Sequence, residues 1–164
     1  MKLSKRAVTI IAIIVGTIAI DQISKVLVRA YVEPGTQSKI IGNYFTLHNV
    51  ENVGAFLGMG SDLNPTLKLI LLLILPIVVL GYVLIHVLRN KDLDKLSLIA
   101  FSIIIGGGIA NVYDRIAYGS VTDFFYMKLN DTLHTGVFNM ADLFVTTGMI
   151  ILLIVSFRKK KEQS

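Results

Sequence analysis

Four stretches of this chain are apolar over lengths that suit a lipid bilayer better than a protein interior, and the remaining residues must be placed around them. A spanning helix needs about 20 predominantly apolar residues to cross roughly 30 Å of hydrocarbon. From Ala7 to Ile20 every residue is apolar or small, and the run continues as DQISKVLVRAYV. Leu67 to Leu88, Leu96 to about Tyr113 and about Phe138 to Phe157 supply three more. With 54% of its 164 residues hydrophobic, the chain departs from ordinary soluble domains in the same direction. The pattern predicts an α-helical integral membrane protein, one domain over 1–164, with helices at about 7–29, 66–88, 96–113 and 138–157.

Lys2, Lys5 and Arg6 ahead of an apolar run also fit a secretory signal peptide. No convincing small-x-small cleavage pattern follows Ile20, so the segment is read as the first membrane helix. Asn64 and Pro65 suit the cap and first position of the second helix, and Pro76 inside it predicts a kink. Basic residues at the amino terminus, at Arg89, Lys91 and Lys95, and at Arg158 to Lys161 mark a cytoplasmic side that holds both termini. The net charge of +5 is explained by this topology, and no amphipathic basic face calls for nucleic acid.

The two outer connections, about Tyr31 to Asn64 and about Asp114 to Val137, carry KIIGNYFTLHNV and SVTDFFYM, whose β-branched and aromatic residues favour strands. Pro34-Gly35 and Gly119 mark turns. A small extracytoplasmic β element carried on four helices is the expectation. The chain has no cysteine, which excludes disulfides and thiolate chemistry, and its histidines (His48, His86 and His134) lack metal-ligand spacing. The reading calls for no metal and no cofactor.

A carboxylate at the centre of a spanning helix costs roughly 2.5 to 3.5 kcal/mol, so each one near the bilayer asks for a reason. Asp21 lies one turn before Lys25, which allows an ion pair and a structural tether at the end of the first helix. Asn111, Asp114 and Arg115 close the third helix, where an Asn–Asp–Arg network is expected to hold a loop. The glycines at 106 to 108 permit another helix or a lipid chain to approach closely. Asn139 followed three residues later by Asp142 resembles a cap at the start of the fourth helix. Asp123, flanked by Phe124 and Phe125, is an aspartate in a strand close to apolar surface, where desolvation favours the neutral acid. If Asp123 and Asp142 face each other, burial and repulsion favour one proton shared between them, the arrangement of an aspartic protease.

Four segments in order, DQISK from Asp21 to Lys25, NVGAF from Asn52 to Phe56, ANVYDR through VTDF from Ala110 to Phe124, and FNMAD from Phe138 to Asp142, resemble the bacterial lipoprotein signal peptidases, or signal peptidase II. The resemblance spans essentially the whole chain. It implies a membrane aspartic endopeptidase with Asp123 and Asp142 catalytic. Asn52, Asn111, Asp114, Arg115, Asn139 and Ala141 are implied to support the site or contact substrate, with Asp21 and Lys25 in the first motif. Asn52 and the Gly54 backbone are expected to meet substrate near the lipobox. The implied substrate is a diacylglyceryl-modified prolipoprotein, cut on the amino-terminal side of its lipidated cysteine at the outer face of the bacterial cytoplasmic (inner) membrane. Membrane lipid is an implied partner, nucleic acid is not, and an oligomer is not required. Ala110 stands where family members usually carry glycine, and Phe56 where alanine or serine is frequent, which predicts altered packing and pocket shape.

Three other readings compete. A proton-coupled small transporter uses membrane carboxylates, though generally near the midplane and with repeats. A serine–lysine peptidase would use Ser120 and Lys128. A non-catalytic lipid-binding scaffold would tolerate loss of either aspartate.

Overall fold

The computed structural model describes residues 4–55 and 58–162; Lys2 and Phe56 lie outside the described residues. Among the described residues four helices are long and apolar enough to cross a membrane: Lys5–Tyr31, Pro65–Arg89, Lys95–Tyr118 and Met140–Arg158, the fourth helix continuing to Glu162. Their starts follow from local chemistry. The side chains of Ser4, Asn64 and Asp94 accept from the backbone N–H groups of Ala7, Leu67 and Ser97, and Pro65, with no N–H to satisfy, opens the second helix. The third helix continues past its apolar run to Tyr118 and stops at Gly119, which takes the left-handed conformation at φ 77° and donates its N–H to the Arg115 carbonyl.

The turns before Pro76 depart from α-helical geometry, as kinks at proline commonly do. Residues Leu69–Ile74 form a π-helical segment just before it. Proline cannot donate to the carbonyl four residues back and its ring crowds that carbonyl, so the preceding turn widens. The guanidinium of Arg6 donates to the carbonyls of Val87 at 2.8 Å and Asn90 at 2.5 Å, fastening the start of the first helix to the end of the second.

The third helix is the axis of the bundle, packing on the first, second and fourth. Its three consecutive glycines make this possible, because successive residues are about 100° apart around a helix. A Cβ on Gly106 would lie 2.7 Å from the Thr17 Cβ of the first helix. One on Gly107 would lie 2.6 Å from the Ala141 carbonyl oxygen of the fourth, and one on Gly108 2.6 Å from Leu80 of the second. Each glycine therefore admits a different neighbour. Ala110 is fully buried on the same helix. The bundle buries an apolar cluster of Ile10, Val87, Leu98 and Ile105, and also charged residues: on the first helix Val15 and Ile23 are exposed while Asp21 and Lys25 are fully buried.

Strands β1 (Gln37–Ile41), β2 (Phe45–Asn52) and β3 (Val121–Met127) form an antiparallel sheet in the order β1-β2-β3. The stretch KIIGNYFTLHNV breaks at a turn over Gly42 to Tyr44, with Gly42 at positive φ, so it supplies two strands. The sheet joins the bundle at the end where the first and third helices finish and the second and fourth begin.

Candidate active site

Two short elements bring Asp123 and Asp142 together. Phe125 of β3 and Phe138 pair as an isolated antiparallel bridge, exchanging N–H···O bonds of 2.8 Å in both directions, and the Phe124 N–H adds a third to the Phe138 carbonyl at 3.0 Å. Phe45, Phe124 and Phe138 pack around the Phe125 ring. Asp123 precedes this bridge in the strand and Asn139 follows it, so the start of the fourth helix is fastened beside the strand aspartate.

Asn139 then links the two carboxylates. Its Nδ2 donates to Asp123 Oδ1 at 2.6 Å, while its Oδ1 accepts from the Asp142 N–H at 3.0 Å. The Asp142 Oδ2 accepts in return from the Asn139 N–H at 3.3 Å, completing the reciprocal cap foreseen from the spacing. Asp142 is thus both helix cap and site carboxylate. Two more asparagines converge: Asn52 Nδ2 donates to Asp123 Oδ2 at 2.8 Å, and Asn111 Nδ2 donates to Asp142 Oδ1 at 3.0 Å. All three amides are held in one orientation by donors to their oxygens. These are the Gly54 N–H for Asn52, the Asp142 N–H for Asn139, and Lys25 Nζ with Asn139 Nδ2 for Asn111.

Burial pushes the Asp123 carboxyl up to about 7, the neighbouring Asp142 charge pushes the same way, and the donors Asn52 and Asn139, with the Lys25 charge, hold it back. At 2% exposure Asp123 has little water to stabilise its anion.

Beneath the carboxylates lies a charged layer. Lys25 Nζ sits 2.7 Å from Asp21 and 2.7 Å from Asp114, all three side chains fully buried, and donates to Asn111 Oδ1 at 2.9 Å. Asp21 Oδ1 accepts from the Ala141 N–H at 2.8 Å, satisfying one of the free amides of the fourth helix. Ala141 therefore contributes its backbone. The expected Asn111–Asp114–Arg115 loop network is kept in part, Arg115 donating to the Asn111 carbonyl at 3.5 Å, and the other partners come from elsewhere. Asp114 pairs with Lys25 and with Gln22, whose Nε2 donates to it at 3.0 Å, and Arg115 donates to the Gly54 carbonyl at 2.9 Å. A buried carboxylate in a membrane bundle is stabilised better by a cation than by an amide one turn away.

Arg29, Glu51 and Thr122 join this assembly without having been singled out in the sequence. Arg29 follows Asp21 and Lys25 at the same four-residue interval, which was a usable signal. Glu51 offered none, and Thr122 lies within the VTDF segment with no role of its own indicated there. The histidines engage locally, His48 with the Thr46 hydroxyl at 2.8 Å and His134 with the Thr135 carbonyl at 3.0 Å. Ser120 and Lys128 lie beyond opposite ends of β3, with Ser120 donating to Glu51 and Lys128 paired with Asp131 at 2.6 Å, so the serine–lysine pair does not form.

Asp142, Asn111 and Arg115 line the polar end of a cavity of about 570 Å³ between the second, third and fourth helices; Leu71, Pro76 and Met149 line its apolar part. The widened turn before Pro76 contributes Leu71 and Leu72 to this wall.

A family model described as "Signal peptidase (SPase) II" matches residues 13–158. Three curated relatives are each named "Lipoprotein signal peptidase". That of Pelodictyon phaeoclathratiforme is 36% identical, covering 87% of this chain and 86% of its own. That of Borreliella afzelii is 34% identical, covering 97% and 95%. That of Clostridium tetani is 33% identical, covering 88% and 89%. A bacterial membrane enzyme structure solved by the in meso method at 2.3 Å superposes with a TM-score of 0.83 at 23% identity, over 95% of this chain and 92% of that one, and so shares the fold. These matches leave the transporter reading without support. A multi-pass membrane protein that matches this family model and these relatives over nearly its full length belongs to the signal peptidase II family of peptidases.

Proposed function

We propose that Asp123 and Asp142 are the catalytic dyad of an aspartic endopeptidase that removes signal peptides from diacylglyceryl-modified prolipoproteins, cutting on the amino-terminal side of the lipidated cysteine. The observation that carries this is the convergence of the two carboxylates through Asn139 and Asn111, with one of them lining a cavity between helices. In this mechanism Asp142 removes a proton from water as the water oxygen attacks the scissile carbonyl, and protonated Asp123 donates to the carbonyl oxygen. Collapse of the tetrahedral intermediate returns that proton to Asp123, and Asp142 passes its own to the leaving nitrogen. The buried Asp123 acid, held up to about 7, supports its role as the initial donor.

The substrate remains anchored in the bilayer by its acyl chains and apolar signal sequence, so it enters sideways. The cavity between the second, third and fourth helices suits that route because its wall is apolar and its polar end holds Asp142. Asn52 and the Gly54 carbonyl, fixed by Arg115, form the rim that meets the residues around the cut.

The basic flanks support a topology with both termini in the cytoplasm and the sheet and dyad at the extracytoplasmic face of the bacterial cytoplasmic membrane. One chain supplies every group named, so the proposal requires no oligomer; lipid is the surrounding partner and nucleic acid has no role.

The test is to incubate purified protein in detergent with a prolipoprotein peptide carrying diacylglyceryl-cysteine and with its unmodified counterpart. Cleavage of the lipidated peptide alone, with a product beginning at the modified cysteine by mass spectrometry, is expected. Equal cleavage of both peptides, or a cut elsewhere, would refute the assignment.

A further inference from the structure

We infer that Thr122, Glu51 and Arg29 form a clamp on the reverse side of β3 that positions Asp123 for proton transfer. This inference rests on the dyad reading above and names what holds one of its members in place.

A short edge strand is a poor platform for a catalytic acid, because a one-residue slip would turn every side chain to the other face. β3 pairs with β2 along one side, and its other side is met by the bridges Phe125–Phe138 and Lys128–His134, both beyond Asp123 toward the end of the strand. The beginning of the strand needs another anchor. Thr122 and Ser120 point away from the Asp123 face because side chains alternate along a strand. Both reach Glu51, the cross-strand partner of Thr122: the Thr122 hydroxyl donates to Oε1 at 2.7 Å and the Ser120 hydroxyl to Oε2 at 2.5 Å. Glu51 precedes Asn52, which binds Asp123 on the front. Adjacent residues of β2 therefore grip β3 from its two faces, and both grips fail together if the register shifts.

Arg29 ties this grip to the bundle. Its Nε donates to the Thr122 hydroxyl at 2.7 Å, so that hydroxyl both accepts and donates. The guanidinium stacks over the Tyr118 ring at 4.0 Å and lies 3.6 Å from Asp114. One side chain thus joins the first helix, the third helix and the strand that carries Asp123. None of these groups reaches the cavity wall that holds Asp142. Their effect on chemistry passes through the placement of Asp123, so they are positioning residues.

The experiment measures kcat and KM on the lipidated peptide for wild type, Thr122→Val, Thr122→Ser, Glu51→Ala, the Thr122→Val/Glu51→Ala double variant and Asp123→Asn. Valine keeps the shape of threonine, and Glu51 is exposed, so the alanine variant carries the test even if the buried substitution impairs folding. Misplacing a reacting group by a fraction of an ångström predicts about a ten-fold loss of kcat in Thr122→Val and in Glu51→Ala, with KM unchanged. Thr122→Ser retains the hydroxyl and is expected to recover the rate, and the double variant is expected to be no slower than the slower single one. Wild-type kcat in Glu51→Ala, a loss confined to KM, or Thr122→Ser as slow as Thr122→Val would overturn the clamp. An inactive Asp123→Asn beside a fully active Thr122→Val would remove the clamp and leave the dyad standing. An active Asp123→Asn would remove both.

Discussion

Replacing Asn52 with alanine separates the two jobs this side chain performs. Its Nδ2 donates to Asp123 Oδ2 at 2.8 Å and its Oδ1 accepts the Gly54 N–H at 2.8 Å. The first contact favours the Asp123 anion; the second anchors the loop that Arg115 grips through the Gly54 carbonyl. A hydrogen bond to a charged group contributes about 1.5 to 3 kcal/mol, and one pKa unit corresponds to about 1.4 kcal/mol. Losing the donor should therefore raise the Asp123 carboxyl from about 7 by about one unit or more. In the wild type the protonated acid is half present at about pH 7, and only about one-tenth of it remains one unit higher. The alkaline limb of kcat/KM on the lipidated peptide should fall at about that pH in the wild type and about one unit later in Asn52→Ala, where the plateau rate is lower by about ten-fold or more. An alkaline limb that stays in place or moves to lower pH would refute the role of Asn52 on Asp123. An unchanged plateau would remove Asn52 from the site.

The same acid links stability to pH. The folded chain keeps the Asp123 proton to about 7 while the unfolded chain releases it near 3.8, so its contribution is complete below 3.8 and is lost as pH rises toward 7. Thermal unfolding in detergent should show a wild-type Tm that declines across this window more steeply than that of Asp123→Asn. Lys25→Met leaves Asp21 and Asp114 buried without the cation that lies 2.7 Å from each, and should cost about 3 to 5 kcal/mol, seen as a collapse in the yield of folded protein. Normal yield and Tm would contradict that role. Gly107→Ala forces a methyl to within 2.6 Å of the Ala141 carbonyl and should destabilise by about 1 to 3 kcal/mol while slowing cleavage. At Gly16, where an added Cβ meets nothing within 4 Å, alanine should be neutral or mildly stabilising.

The elements that depend on local chemistry were legible in the sequence. Apolar length marks the four helices, Asn64-Pro65 and Asn139 mark two of their starts, and the spacing of Asp21 and Lys25 marks a pair that forms inside the bundle. The sheet was legible as a strand-rich region, but its register was not, since which residue of β2 faces which of β3 is decided by contacts distant in sequence. For the same reason the partners of Asp114 are not legible from its own helix. Within its own helix only Asn111 and Arg115 were in view, whereas Lys25 and Gln22 arrive from the first helix once Gly106 has let it approach. Pro76 marks a break in the second helix from sequence alone, whereas the π-helical segment that precedes it, and its place in the cavity wall, are visible only in the structure. Glu51 and Thr122 carry no periodic or compositional signal. They became meaningful only through their cross-strand pairing.

The most direct test of the dyad is cleavage of the diacylglyceryl-modified peptide by purified wild type, Asp123→Asn and Asp142→Asn, each shown to be folded. Asparagine preserves size and polarity but cannot exchange the proton, so both variants are expected to insert and fold while losing turnover by several orders of magnitude. Robust cleavage by either folded variant would contradict the aspartic mechanism.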